Sequence, residues 1–209
     1  MSNFIYVVTD SAPGWTLYGT EQTNNAQCAA DKLAMYRFNG NDHITKEAMA
    51  GIIGNFTWES GLNPGQWEMG YNYDPSHGFG LAQWTPSTKI SNYIGSTDPD
   101  LMADGNMQID YLLDTPSQWS TYYVDMNTVY SSYYNVTVPI LPTMEDYFAS
   151  TASPEDLAVA WMVYWERGSA LYSHFTERKA YSLHWYNELD YSYVPIWLLA
   201  KSADNWRMK

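Results

Sequence analysis

Apolar residues recur at Ala48, Met49, Ile52, Ile53 and Phe56, the offsets that draw one stripe along a helix, and Thr45 stands where an N-cap belongs. Glu59 falls on that stripe, three residues past Phe56, where a charged side chain is rarely placed. The helix signal stops at Ser60-Gly61. A loop rich in Gly, Pro, Asn and aromatics then runs to Gly78-Phe79-Gly80-Leu81-Ala82-Gln83-Trp84, and the segment from Gly61 to Thr85 is expected to form the floor of a cleft. Ahead of this stretch, residues 1–22 read as an extended arm with a turn at Ser11-Ala12-Pro13-Gly14, able to pair as a small hairpin. Asn24 or Asn25 is expected to cap a helix reaching about Phe38, with Ala26, Ala29, Ala30, Leu33 and Tyr36 as its apolar repeat and Cys28 in the core.

Further along, Thr85-Pro86-Ser87 begins a helix through Ile90 and Tyr93 to Gly95. Another is predicted from about Asp100 to Leu113, with Met107, Tyr111 and Leu112 inward and Gln108 and Asp110 outward. Residues 115–142 carry no clear period and read as an insertion on the cleft rim. Ser153-Pro154-Glu155-Asp156 combines an N-cap, a proline at the first helical position and acids in the first turn. Leu157, Ala160, Trp161, Tyr164 and Trp165 follow at helical spacing as far as Glu166-Arg167-Gly168. The Trp165-Glu166-Arg167 ending predicts a structural ion pair or capping network, with Glu166 no catalyst. A last helix, about Leu171 to Asp190, contributes Leu171, Phe175, Arg178 and Trp185, and the tail 191–209 reads as a docking segment. The fold class is α+β, mostly α-helical, with one domain over residues 23–190 between arm and tail.

Composition narrows the chemistry. A net charge of −13 with ten Lys and Arg in 209 residues argues against nucleic acid, which needs a basic patch. The single cysteine rules out an internal disulfide, and the four histidines lack metal-ligand spacing, so no metal or other cofactor is expected. Neither a signal peptide nor a membrane span is expected, since the longest apolar run, Val194 to Ala200, falls far short of the ~20 residues a span requires.

Two stretches, GIIGNFTWESGLNP and GFGLAQWTP, resemble the phage tail lysozyme domain family and, more distantly, goose-type lysozymes and lytic transglycosylases. Those families pair a Glu-Ser at the end of a buried helix with a later Gly-Leu-x-Gln turn, here Glu59-Ser60 and Gly80-Leu81-Ala82-Gln83. The resemblance implies a lysozyme-like fold and a muramidase-type glycosidase acting on peptidoglycan glycan strands. It also implies a phage product, held in the virion tail or in the host cytoplasm until lysis, with other phage tail proteins as candidate partners. Glu59 is then the general acid, its pKa expected to be raised by desolvation. Gly80, Leu81, Gln83 and Trp84 are candidate substrate contacts, joined by Tyr73, Asp74 and, from the later helix, Tyr164. The position where the goose-type pattern carries a second acid is Thr85, leaving Glu68 and Asp74 as the carboxylates between helix and turn. A lytic transglycosylase needs only the lone acid, and a non-catalytic glycan-binding or structural tail protein on the same fold is the rival class.

Charge yields a first prediction. Because this chain and a teichoic-acid-bearing wall are both anionic, screening should aid their association, so lysis of whole walls is expected to rise from low to moderate ionic strength. A rate that falls steadily over that range would reveal a basic binding face.

Overall fold

A computed structural model describes residues 3–11, 19–40, 42–120, 136–167 and 174–191. Helix α1 spans Thr20–Ala34, and a short antiparallel ribbon pairs β1, Arg37–Phe38, with β2, Asp42–His43. Helix α2 spans Lys46–Ser60. After the long loop come α3, Thr88–Ile94, α4, Pro99–Met102, and α5, Gly105–Leu113. The C-terminal part holds α6, Met144–Ala149, α7, Pro154–Trp161, which runs on into a π turn at Met162–Glu166, and α8, Phe175–Glu188. This is the mostly helical α+β, lysozyme-like architecture expected from the residue pattern.

Helix α2 is the axis on which α1, α6, α7 and α8 pack. Its Thr45 cap accepts the amide of Ala48 at 3.2 Å, and Gly61 closes it in the left-handed conformation at φ 62°. The helix is buried all round and not only along one stripe, every residue from Ala48 to Thr57 being enclosed. Small residues on its second face explain this. A Cβ on Gly51 would lie 2.5 Å from the Tyr147 hydroxyl, and one on Gly54 would lie 2.7 Å from the Ser182 backbone nitrogen. Those glycines admit α6, α7 and α8 to close range, so past its first turn the helix meets solvent again only at Trp58 and Glu59.

The N-terminal helix begins earlier than the asparagines suggested. It starts at Thr20, and Asn25 sits fully buried within it because its amide is spent on the arm: it accepts from the Ile5 amide at 2.8 Å and donates to the Ile5 carbonyl at 2.6 Å. Asn63 repeats the arrangement on Val7, with bonds of 3.1 and 2.7 Å. Residues 3–10 therefore lie extended along the body, each clamped residue paired as if by a neighbouring strand, and Thr9 bridges to Gln66 in parallel register. The expected turn at 12–14, Leu171 and the docking tail from residue 192 lie outside the described residues.

The single helix expected over Asp100–Leu113 is broken into α4 and α5, because the Asp104 side chain caps α5 by accepting the amides of Asn106 and Met107. Gln108, expected to face out, is wholly buried. Its Oε1 accepts the Leu81 amide at 2.9 Å, while Nε2 donates to the carbonyls of Pro64 at 2.8 Å and Met102 at 2.7 Å. One amide thus pins both ends of the long loop against α5.

Gln108→Leu keeps the volume and strands three backbone groups in the interior. At ~1–3 kcal/mol for an unsatisfied buried group, the expected loss is about 3 kcal/mol or more. For a domain of this size that lowers Tm by roughly 10 °C. Thermal unfolding followed by circular dichroism measures it; a Tm within about 2 °C of the parent would mean that the amide does not hold the loop.

Candidate active site

The last turn of α2 presents the Glu59 side chain, 21% exposed, at the edge of the core. The isolated carboxyl expected from the apolar stripe has a cationic partner: Arg178, buried in α8, places Nη2 on Glu59 Oε1. The reason is packing. α8 lies across α2 where the latter carries Gly54, and its guanidinium threads back between Asn55 and Glu59, with Nη1 donating to Asn55 Oδ1 at 2.6 Å. Asn55 is held in turn by donating to the carbonyls of Gly51 at 2.8 Å and Ala158 at 3.0 Å. The orientation of Glu59 is therefore fixed through a buried relay from α7 to α2 to α8.

Ser60 joins this helix end to the second motif. Its Oγ lies 3.0 Å from the carbonyls of both Phe56 and Leu81, so the Glu-Ser step and the Gly-Leu-x-Gln turn are latched by one hydroxyl. Gly80 takes φ 84°, and a Cβ there would lie 2.6 Å from Gln108 Oε1. Gln83 also adopts positive φ, 49°, and its Nε2 donates to the carbonyls of Gln66 at 3.0 Å and Gly80 at 3.1 Å, stitching the turn. Leu81 is wholly buried, so it offers a substrate only its position in the backbone.

The aromatic candidates divide. Trp84 is buried, edge-on to Tyr111 and Trp165, with no hydrogen-bond partner for its indole nitrogen among the described residues. Tyr164 is also wholly buried and donates its hydroxyl to the Pro139 carbonyl at 2.9 Å, which leaves it no face for a sugar. Tyr73 is 61% exposed and leans on Trp67 at 5.9 Å between ring centroids. Asp74 accepts the amide of Ser76 at 2.9 Å and its hydroxyl at 2.6 Å, with His77 at 3.0 Å, and the Ser76 bonds hold its carboxyl below the usual range. Glu68 accepts the Gly78 amide at 3.0 Å. Both acids between helix and turn are thus engaged in shaping the loop. His77 stacks on Tyr71 and His174 on Trp58, the neighbour of Glu59.

Glu166, read from the sequence as structural, has unusual surroundings. Glu166 ends the π turn, where the Arg167 amide reaches back five residues to Met162 at 2.9 Å. The residue as a whole is half-buried, yet its Oε1 is out of reach of solvent and without a hydrogen-bond partner. Burial first, then the negative charge of Glu59, pushes its carboxyl well above the usual range, while Arg178 pulls the other way. The indole of Trp161 lies on the same carboxyl and favours its charged form, short of full hydrogen-bond geometry. Of the structural ion pair or capping network expected of the Trp165-Glu166-Arg167 ending, no ion pair of Glu166 or Arg167 is present among the described residues, and the ending is closed instead by the Arg167 amide on Met162.

The profile of the family described as phage tail lysozyme matches residues 30–189. Among curated proteins, morphogenesis protein 1 of Bacillus phage B103 is 31% identical over 146 residues, which cover 69% of this chain and 35% of that protein. The chain therefore spans about a third of the length of that relative. No helix among the described residues is long and apolar enough to cross a membrane. A profile match across most of the chain, joined to a Glu-Ser helix end latched onto a Gly-Leu-x-Gln turn, places this chain in the phage tail lysozyme family.

Proposed function

We propose that the chain cleaves the glycan strand of bacterial peptidoglycan, with Glu59 delivering the proton to the departing glycosidic oxygen. The observation that carries this reading is the latch between Ser60 and Leu81, which sets a carboxyl at the solvent end of a buried helix against the backbone of a glycine-bearing turn. Membership of the tail lysozyme family supports the substrate class. Glycosidic cleavage needs an acid held in a fixed direction, and the relay through Asn55 and Arg178 supplies that direction. Gln83, fixed through its Nε2, offers its amide oxygen to an N-acetyl group or to the attacking water, and the exposed ring of Tyr73 offers a sugar a flat apolar face. With Glu68 and Asp74 engaged in the loop, the attacking group is water or the sugar's own hydroxyl, as in lytic transglycosylases. The name of the B103 relative supports a place in phage assembly, so the working location is the virion, acting on the host wall beside other tail proteins.

Glu59→Gln preserves shape and removes the deliverable proton. General acid catalysis contributes ~10²–10⁴-fold, so cleavage of purified peptidoglycan should fall by that factor while glycan binding persists. Mass analysis of the parent's products separates hydrolysis from an anhydro end formed by the sugar's own hydroxyl. A folded variant that retains more than about a tenth of the parent rate would mean that another acid delivers the proton. A parent that binds glycan without cutting it would identify a binding module.

A further inference from the structure

We propose that the open edge of the N-terminal arm, at Phe4, Tyr6 and Val8, is a docking strand that takes an extended, cationic segment of a neighbouring protein by main-chain pairing. The inference does not depend on the glycosidase reading and uses none of the residues assigned to it. An extended chain turns the main-chain groups of successive residues to opposite edges. Along this arm the odd-numbered residues face the body: Ile5 is bonded in both directions to Asn25, and Val7 to Asn63. Thr9 continues the series, donating to the Gly65 carbonyl at 3.2 Å and accepting from the Trp67 amide at 2.7 Å. The even-numbered residues have the other edge. Phe4 and Val8 turn their side chains onto the core, yet the amides and carbonyls of Phe4, Tyr6 and Val8 have no partner among the described residues.

Proteins ordinarily blunt an open strand edge with a charge, a proline or a bulge. This edge has no such guard: Asn3 to Thr9 contains neither a charged residue nor a proline, and Ile5, Tyr6 and Val7 are each at least 40% exposed. Beside it, Asn3, Phe4 and Tyr6 line a groove of about 320 Å³ together with Asp100, Leu101 and Asp104 from α4 and the start of α5. A strand added along the arm would pair with the free main-chain groups and set its side chains against this groove. Charge identifies the occupant. Asp100 and Asp104 are exposed, and neither they nor Asp10, which follows the strand, have a cationic partner among the described residues. A second copy of the chain would bring another net charge of −13 to these acids. Pairing two such short arms would also bury well under the ~1,200 Å² at which stable interfaces begin. A strand that alternates apolar residues with lysine or arginine answers both the edge and the acids.

The test is amide hydrogen exchange read residue by residue by NMR, with a synthetic nonapeptide of alternating valine and lysine as the probe. In the free chain the amides of Phe4, Tyr6 and Val8 should exchange faster than those of Ile5, Val7 and Thr9. Saturating peptide should slow the even-numbered set about tenfold or more and leave the odd-numbered set unchanged. Tyr6→Pro removes the central donor at a position where an edge strand accepts proline, so it should keep the parent's Tm and weaken peptide binding about tenfold or more. Asp100→Lys should also weaken it, which separates the charge from the main-chain pairing. Absence of peptide binding overturns the proposal. So does binding that survives Tyr6→Pro, which would be adsorption on an acidic surface, and so does an even-numbered set already protected in the free chain. Equal binding of a valine and glutamate peptide overturns the cationic assignment, and self-association in sedimentation that Tyr6→Pro abolishes would make a second copy the occupant. If Tyr6→Pro does not fold, the parent's exchange pattern with and without peptide decides alone. Peptidoglycan cleavage enters none of these readouts, so the glycosidase reading stands or falls separately.

Discussion

A guanidinium enclosed by protein imposes conditions on everything around it. Arg178 cannot shed its charge, so the fold has to supply carbonyl-type acceptors and a negative group at fixed places, and those places lie on a different helix. Asn55 meets the first condition only because its own amide is anchored to Gly51 and Ala158. Glu59 meets the second. The three-helix contact of α2, α7 and α8 is therefore as much an electrostatic arrangement as an apolar one, and Gly54 is what lets α8 come close enough for the arginine to reach.

The same economy appears in the loop. A segment of this length carries many backbone groups that must be satisfied away from water. It uses side-chain amides for the purpose: Asn63, Gln66, Gln83 and Gln108 each bond main-chain atoms, and Ser60 closes the set against the helix. The turn latched to the Glu59 helix end is pinned by hydrogen bonds for that reason, although it contains little regular structure.

Sequence periodicity located α2, its Thr45 cap, its Gly61 stop and the start of α7 at Ser153, because these follow from local rules of helix geometry and capping. It also grouped Arg178 with Phe175 and Trp185 among the residues the last helix contributes, and all three are buried. What it missed was polar residues used internally. Asn25 looked like a cap and Gln108 like a surface residue, since isolated amides are usually either; their real partners, the arm and the loop, are distant in sequence. Glu166 was read as part of an ion pair or capping network, but the π turn that carries it is not visible in the residue pattern. Tyr164 and Trp84 illustrate the complementary error: in a chain with 17% aromatics, helical spacing and motif adjacency do not distinguish a sugar platform from a core ring.

The arm carries a mechanical consequence. Its hydrogen bonds to Asn25 and Asn63 run across the strand direction, so a pull along residues 3–10 would load them in shear, all at once, and not one after another as in a zipper. Asn63 also accepts the Gly65 amide, and the neighbouring Gln66 carbonyl receives both the Gly80 amide and the Gln83 side chain. Strain entering at the N-terminus would thus reach the turn opposite Glu59 within a few bonds, making the arm a tether whose tension the active-site loop can feel.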